Sequence, residues 1–484
     1  MDQHARDVTE AQDAGLNAPP ALEGAESAEG LVAAQADAAA AGAQGIPHSE
    51  PAKGTGTLEA ASADGQPRFG PLRLLKVLGP GFITGASDDD PSGIGTYSVA
   101  GASLGFAPLW MAPFTFPLMA AIQYMCAKVG MVSGRGLAGI LRQHYSRGVL
   151  YPAVLALVIA NTINAGADIG AIAAAINLLV PVPISLMIVP ITAAILALQV
   201  WGSYRLIARV FKWLTLALFA YVAATFFARP AWGEVLHATL VPTLRLDRTF
   251  VATVVAILGT TISPYLFFWQ ASDEVEEEVS AGRTTLRQRK GATRAELTYA
   301  RWDVLAGMLV SNLVMYFIIL ATAATLFKAG KTDIQSATDA AQALRPLAGN
   351  AAAVLLAVGL IGSGVLAVPI LTGSGAYAVA ESFGWKYGLD KQPRRAKQFY
   401  GVIAASTAVA MLINFIGLNP IQALVWAAIL NGLLAPPLLV VILLVANNRR
   451  IMGARRNGRL VNVLGAITAA LMAGAAIVLL ITLL

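Results

Sequence analysis

Eleven apolar stretches of membrane-spanning length constrain this chain more than any other feature. They run roughly 76–98, 105–129, 149–172, 183–201, 208–228, 250–270, 302–327, 350–379, 400–416, 421–446 and 461–483. A helix of about twenty apolar residues crosses hydrocarbon because it pairs every backbone group within itself. With 56% hydrophobic and only 13% charged residues, the average composition of a soluble domain is excluded. The expectation is an all-α integral membrane protein embedded in a lipid bilayer.

Other classes fall away quickly. One cysteine, Cys126, excludes an intramolecular disulfide framework and a thiolate metal cluster. His4, His48, His144 and His237 all lie outside the apolar stretches, so no histidine-built site is expected within the membrane. No phosphate-cradling glycine loop, nucleophile–base pair or redox motif is present, so neither an enzyme nor a resident cofactor is expected. The net charge of +6 hides a split, because residues 1–70 carry eleven acids against three bases. The excess of bases lies in the loops between spans, which points to membrane topology and not to nucleic acid.

Residues 1–68 are rich in Ala, Gly and acids, with a near-polyalanine run from Ala33 to Ala43. Their apolar surface is too small to offset the entropy of ordering, so they are expected to form a disordered cytoplasmic tail. No early basic region is followed by an apolar core, so no secretory signal is expected. Residues 69–484 are then the transmembrane domain. With the N-terminus inside, the inner connections carry twenty-two Lys and Arg residues and the outer ones six. That asymmetry predicts a bacterial-type inner or plasma membrane protein with a cytoplasmic N-terminus and an outer C-terminus.

Two spans are interrupted. The first holds Gly79-Pro-Gly-Phe-Ile-Thr-Gly-Ala-Ser-Asp-Asp-Asp-Pro-Ser-Gly93, with Asp88, Asp89 and Asp90 in succession. Acids at membrane depth face a cavity, pair or bind a cation, and Pro and Gly beside them break a regular helix. A break at that depth is tolerated where freed backbone lines a cavity. Two readings stay open: a cation site of carboxylate and bare carbonyls, or an aqueous loop with three surface acids. The sixth span holds Gly259-Thr-Thr-Ile-Ser-Pro-Tyr265, where Pro264 frees the Thr260 carbonyl and Thr260, Thr261 and Ser263 add hydroxyls. It runs on into the acidic segment Ser272–Glu278, read as a solvated helix extension. Broken spans five helices apart are the pattern of two inverted five-helix repeats with a site where the breaks meet.

From about residue 71 to 483 the chain resembles the Nramp family of divalent metal transporters. The likeness rests on Gly79-Pro-Gly81 leading to Asp90-Pro91, on Gln123 through Gly130 with Gly134-Arg-Gly-Leu-Ala138, on Gly359 through Gly364, and on Asn448-Arg-Arg-Ile-Met-Gly453. The resemblance implies a LeuT-like inverted 5+5 repeat with about eleven helices, of which helices 1 and 6 are broken. It also implies a divalent metal ion as transported substrate, and a monomer is expected. The signature motifs depart from the family's. Its Asp-Pro-Gly-Asn ligand motif reads Asp90-Pro91-Ser92-Gly93 here, so the asparagine position, Gly93, has no side chain. Its Met-Pro-His, preceded by a carbonyl-donating alanine, reads Ser263-Pro264-Tyr265 preceded by Thr260. Its second histidine falls at Gln270.

The metal-site positions are therefore Asp90, Gly93, Thr260 and Ser263, and Asp88, Asp89, Asp168, Tyr265 and Gln270 are vestibule or relay candidates. Exchange of thioether for hydroxyl disfavours soft ions, and oxygen donors suit Mg²⁺ and Mn²⁺. The pattern resembles the divergent Nramp-related branch associated with those two ions. The family's paired third-span acids fall at Ala167 and Gly170, which leaves Asp168, one residue off and facing Asn164, as the sole acid there. Proton coupling is then expected to be weak or absent. The competing readings are a proton-coupled Mn²⁺/Fe²⁺ transporter, a carrier of an amino acid or other organic cation on the same fold, and a non-transporting sensor or scaffold.

Overall fold

The computed structural model describes residues 79–201, 219–389 and 391–483. The expected tail and most of the fifth span lie outside these residues. Among them there is no strand, and nine helices are long and apolar enough to cross a membrane. The first span is not among the nine because it is two short helices, α1 (Pro80–Asp88) and α2 (Pro91–Leu104). There follow α3 (Met111–Ser133), α4 (Leu137–His144), α5 (Arg147–Leu179), α6 (Ile184–Trp201), α7 (Ala220–Ala228) and α8 (Trp232–Leu240). The second interrupted span is α9 (Arg248–Thr261) with α10 (Pro264–Ser280). The remaining long helices are α11 (Arg294–Thr322), α12 (Ala352–Phe383), α13 (Lys397–Ile413), α14 (Pro420–Asn447) and α15 (Arg459–Leu483), with a few one-turn helices between them.

Local chemistry sets both breaks. Asp90 is extended and accepts from the Gly93 amide, which caps α2 while Pro91 occupies its first turn. Ser263 is likewise extended before Pro264, which opens α10. Proline has no amide to donate backwards, so each helix before it ends with carbonyls that side chains must satisfy, as Tyr265 does for Ser87 and Ser263 for Gly259 and Thr260. The carbonyl ends of α1 and α9 therefore reach the same depth as the starts of α2 and α10.

Glycine lets the broken helices pack closely. A Cβ on Gly85 would lie 2.3 Å from the Gly307 carbonyl carbon, and one on Gly81 would lie 2.6 Å from the Val304 amide. Hence α1 crosses α11 backbone to backbone. Gly259 and Gly432 do the same where α9 crosses α14, with a Gly259 Cβ 2.4 Å from the Gly432 nitrogen. Small residues spaced this way are how helices associate in lipid, where no hydrophobic gain distinguishes neighbour from solvent. The long helices α5 and α12 pack along each other, and α14 packs against α5.

Two structural acids were missed in the sequence. Asp303, on α11, accepts from the Gly79 and Gly81 amides at 3.1 and 2.7 Å and so caps the start of α1. Glu381, at the end of α12, accepts from Gly136 and Gly139 at 3.1 and 2.9 Å and caps α4. The acidic run after α10's apolar half corrects an expectation. It extends the helix, but it is only partly solvated: Glu274 and Glu278 are 5% and 3% exposed, while Asp273, Glu276 and Glu277 are half-buried. Gln270 donates to Glu274, Tyr377 donates to Glu276, and Arg283 pairs with Glu278, so neighbours replace water around these acids.

Candidate functional site

Asp88, Asp89 and Asp90 are 0%, 3% and 1% exposed, so the aqueous-loop reading of the first break does not hold. The three acids point to different partners. Asp90 Oδ1 accepts from Ser92 Oγ at 2.6 Å and from the Gly93 amide at 2.8 Å, and Oδ2 accepts from Asn164 Nδ2 at 2.9 Å. Asp88 Oδ2 and Asp89 Oδ1 both face the Ser311 hydroxyl on α11, at 2.5 and 3.3 Å. Both are buried, and Ser311 ties them to that helix.

The second break meets the first at Ser92. Its hydroxyl oxygen lies 3.3 Å from Thr260 Oγ1 while its proton goes to Asp90. A Cβ built on Gly93 would lie 3.3 Å from Thr260 Oγ1, 3.2 Å from the Tyr97 ring and 3.4 Å from the Asp88 carbonyl. The side chain that Gly93 lacks would thus enter this gap. Ser263 Oγ donates to the Gly259 and Thr260 carbonyls at 2.9 and 2.6 Å. All four expected metal positions, Asp90, Gly93, Thr260 and Ser263, therefore belong to one network. Their donors are bonded to one another, and every one of these residues is buried. A cation entering here competes with hydroxyl protons for carboxylate and carbonyl lone pairs.

The remaining candidates divide. Tyr265 OH crosses the break to the Ser87 carbonyl at 2.8 Å and so joins α10 to the end of α1. Gln270 does not reach the break; it is held along its own helix by Glu274 at 2.9 Å. The expected pair of Asp168 with Asn164 is not formed, because the Asn164 amide is committed to Asp90. Asp168 is fully buried beside Asp90 and the Ser92 amide, and no side chain donates to either of its oxygens.

Ser92, Asn164 and Ser311 were not recognised as partners of these acids. Ser92 had a local signal, since it follows the aspartate that caps α2 by two residues. Ser311 had none, because its role depends on the glycine crossing of α1 and α11.

The donors at the break are oxygens. A thioether lies close by, but Met315 Sδ accepts from Thr261 Oγ1 at 3.6 Å, and Tyr97 OH lies 3.4 Å from that same hydroxyl. The sulfur thus meets Thr261 and not Thr260. Among the described residues no three His, Cys, Asp or Glu side chains form a metal-holding group. Among the same residues the ion pairs found are those of Arg283 with Glu278 and Glu296, so no base neutralises the acids at the break.

Residues 81–482 match the family described as natural resistance-associated macrophage protein-like, Nramp. A divalent metal cation transporter, MntH, of Klebsiella pneumoniae strain 342 is 28% identical over 408 residues, spanning 82% of this chain and 92% of that protein. The MntH of Verminephrobacter eiseniae is 27% identical over 416 residues, spanning 83% and 88%. Among solved structures, the manganese transporter of Eremococcus coleocola superposes with a TM-score of 0.68 at 20% identity, covering 85% of this chain and 87% of that one. The inward-facing conformation of Mhp1 superposes with a TM-score of 0.51 at 16% identity, covering 82% and 90%. These likenesses identify the fold as the LeuT-like inverted repeat with its first and sixth helices broken.

Proposed function

The chain belongs to the Nramp family, and on that premise we propose that it carries divalent metal cations across the membrane by alternating access, favouring hard ions of the Mn²⁺ and Mg²⁺ type. One observation carries the reading. Ser92 spans from the Asp90 carboxylate to Thr260 at 2.6 and 3.3 Å, which joins the two broken helices through oxygen donors alone. Carboxylate, hydroxyl and carbonyl oxygens suit Mg²⁺ and Mn²⁺, and the thioether and imidazole that favour softer ions are replaced by Ser263 and Tyr265. The carbonyl ends of α1 and α9 add partial negative charge at the same place, as helix C-termini do. The relatives named for manganese and for divalent cations support the class of substrate.

Three further points belong to the same proposal. Proton coupling is weak or absent, because α5 offers Asp168 without a second acid one turn away. The N-terminus is cytoplasmic and the C-terminus is outside, from the Lys and Arg asymmetry of the loops. The carrier works as a monomer.

The test is titration of Mn²⁺ and Mg²⁺ into the purified protein and into Asp90→Asn. The variant keeps the size and the Ser92 contact but removes the anion, so binding is expected to be lost with the fold retained. Unchanged affinity in a folded Asp90→Asn protein would sink the assignment.

A further inference from the structure

We propose that Asp168 on α5 is a second anionic ligand of the transported cation, working with Asn164 opposite Asp90; this rests on the divalent-cation reading above. Four observations carry it. Asp168 is 0% exposed, yet no side chain donates to either carboxylate oxygen. Asn164 lies one turn earlier on the same face, is 0% exposed, and donates its amide to Asp90 Oδ2 at 2.9 Å while its own Oδ1 has no partner. The Ser92 amide lies against both the Asp90 and the Asp168 carboxylates. No basic side chain pairs with either acid among the described residues.

A buried carboxylate without a side-chain donor or counter-charge is costly, and such groups persist where something else supplies the charge. Here three oxygens lack a side-chain donor, two on Asp168 and one on Asn164, and they sit beside the acid that anchors the first break. A positive ion placed between Asp90 and Asp168 would answer all of them. Mg²⁺ and Mn²⁺ are commonly held by one or two carboxylates, an amide carbonyl and retained water. Asp168 also comes from an unbroken helix, whereas Asp90 comes from a helix interruption. A ligand set drawn from both would tie ion occupancy to the movement of the broken helix against its scaffold. Such coupling is what alternating access requires of a substrate.

The experiment uses the full chain in detergent, with Mn²⁺ and Mg²⁺ as separate titrants. Affinity is read by calorimetry and the melting temperature is read with and without ion. Asp168→Asn is expected to weaken both ions at least roughly tenfold, the loss of one close anion, with the ion-free melt unchanged or raised. Asn164→Asp is the second variant. It adds an anion on the same face and is expected to lower the ion-free melting temperature and enlarge the ion-induced rise. Parent-like affinity in folded Asp168→Asn overturns the proposal, even if metal-driven proton movement is lost, because Asp168 would then carry protons. If Asp168→Asn does not fold, an Asn164→Asp protein with no larger ion-induced rise overturns it instead. A parent that binds neither ion, with Asp90→Asn no different, would overturn the carrier reading itself, an outcome distinct from loss in Asp90→Asn alone.

Discussion

The phenol of Tyr265 donates to the Ser87 carbonyl at 2.8 Å, so the first turn of α10 closes the last turn of α1. The two residues are 178 positions apart and belong to the two interrupted spans. Tyr265 occupies the position at which the family resemblance sets a histidine. A phenol reaches farther than an imidazole and presents one donor, which fits a bond across the break better than a contact at the ion.

Tyr265→Phe should therefore act on the joint between the helices. It leaves the Ser87 carbonyl buried without its donor, at a cost of about 1–3 kcal/mol. The expected outcome is a lower melting temperature with Mn²⁺ affinity changed less than in Asp90→Asn. A larger loss of affinity than Asp90→Asn would make Tyr265 a ligand.

Asp303→Ala tests the cap on α1. The carboxylate accepts from the Gly79 and Gly81 amides, and the loss of a helix cap typically costs about 0.5–2 kcal/mol. Faster hydrogen exchange at Gly79 and Gly81, together with a lower melting temperature, is the expected result. Asp303 holds the start of α1 and the first break lies at its end, so metal affinity should stay close to the parent's. Unchanged exchange at those amides would mean that neighbours hold α1 without the cap.

The spans and both interruptions were legible because they depend on local chemistry, namely apolar length, Asp-Pro and Ser-Pro. Asp90 was legible for the same reason, since an acid before proline in an apolar run has few innocent explanations. Partners were harder. Asn164 reaches Asp90 from 74 residues away, and no periodicity in α5 marks which of its polar residues turns toward the break. The neighbouring Asp168 seemed the natural partner of Asn164, but Asp90 took the amide. The acids after Gln270 were misread because charge usually signals water. Here Glu274 is covered and Glu276 half-buried, and Gln270 and Tyr377 supply them with donors.

Metal uptake should not acidify the lumen of a proteoliposome. Proton carriage through a membrane uses chains of titratable groups, and α5 presents one acid without a second a turn away. The measurement is a pH-sensitive dye trapped inside while Mn²⁺ enters down its gradient. A steady luminal pH is expected. Strong acidification that disappears in Asp168→Asn would show a proton route through that carboxylate.

Selectivity is open to the most direct chemical test. Ser263→Met restores a thioether at the family position, and Gly93→Asn restores an amide. Hard–soft matching predicts that the double variant gains affinity for Mn²⁺ and Cd²⁺ and discriminates better against Mg²⁺. The geometry qualifies each half. Loss of the Ser263 hydroxyl releases the Gly259 and Thr260 carbonyls, which costs about 1–3 kcal/mol where they stay buried and unpaired, but leaves Thr260 free to bind an ion. A Cβ at Gly93 meets the Tyr97 ring at 3.2 Å and Thr260 Oγ1 at 3.3 Å, so those side chains must shift by a few tenths of an ångström. The single Ser263→Met should thus show most of the selectivity change, and Gly93→Asn should add to it only where Tyr97 yields. The readout is Mg²⁺ competition against Mn²⁺ uptake in proteoliposomes for the parent, both single variants and the double. Millimolar Mg²⁺ should inhibit the parent and lose effect in Ser263→Met. A parent already indifferent to millimolar Mg²⁺ would remove the hard-ion reading and leave a transition-metal carrier in its place.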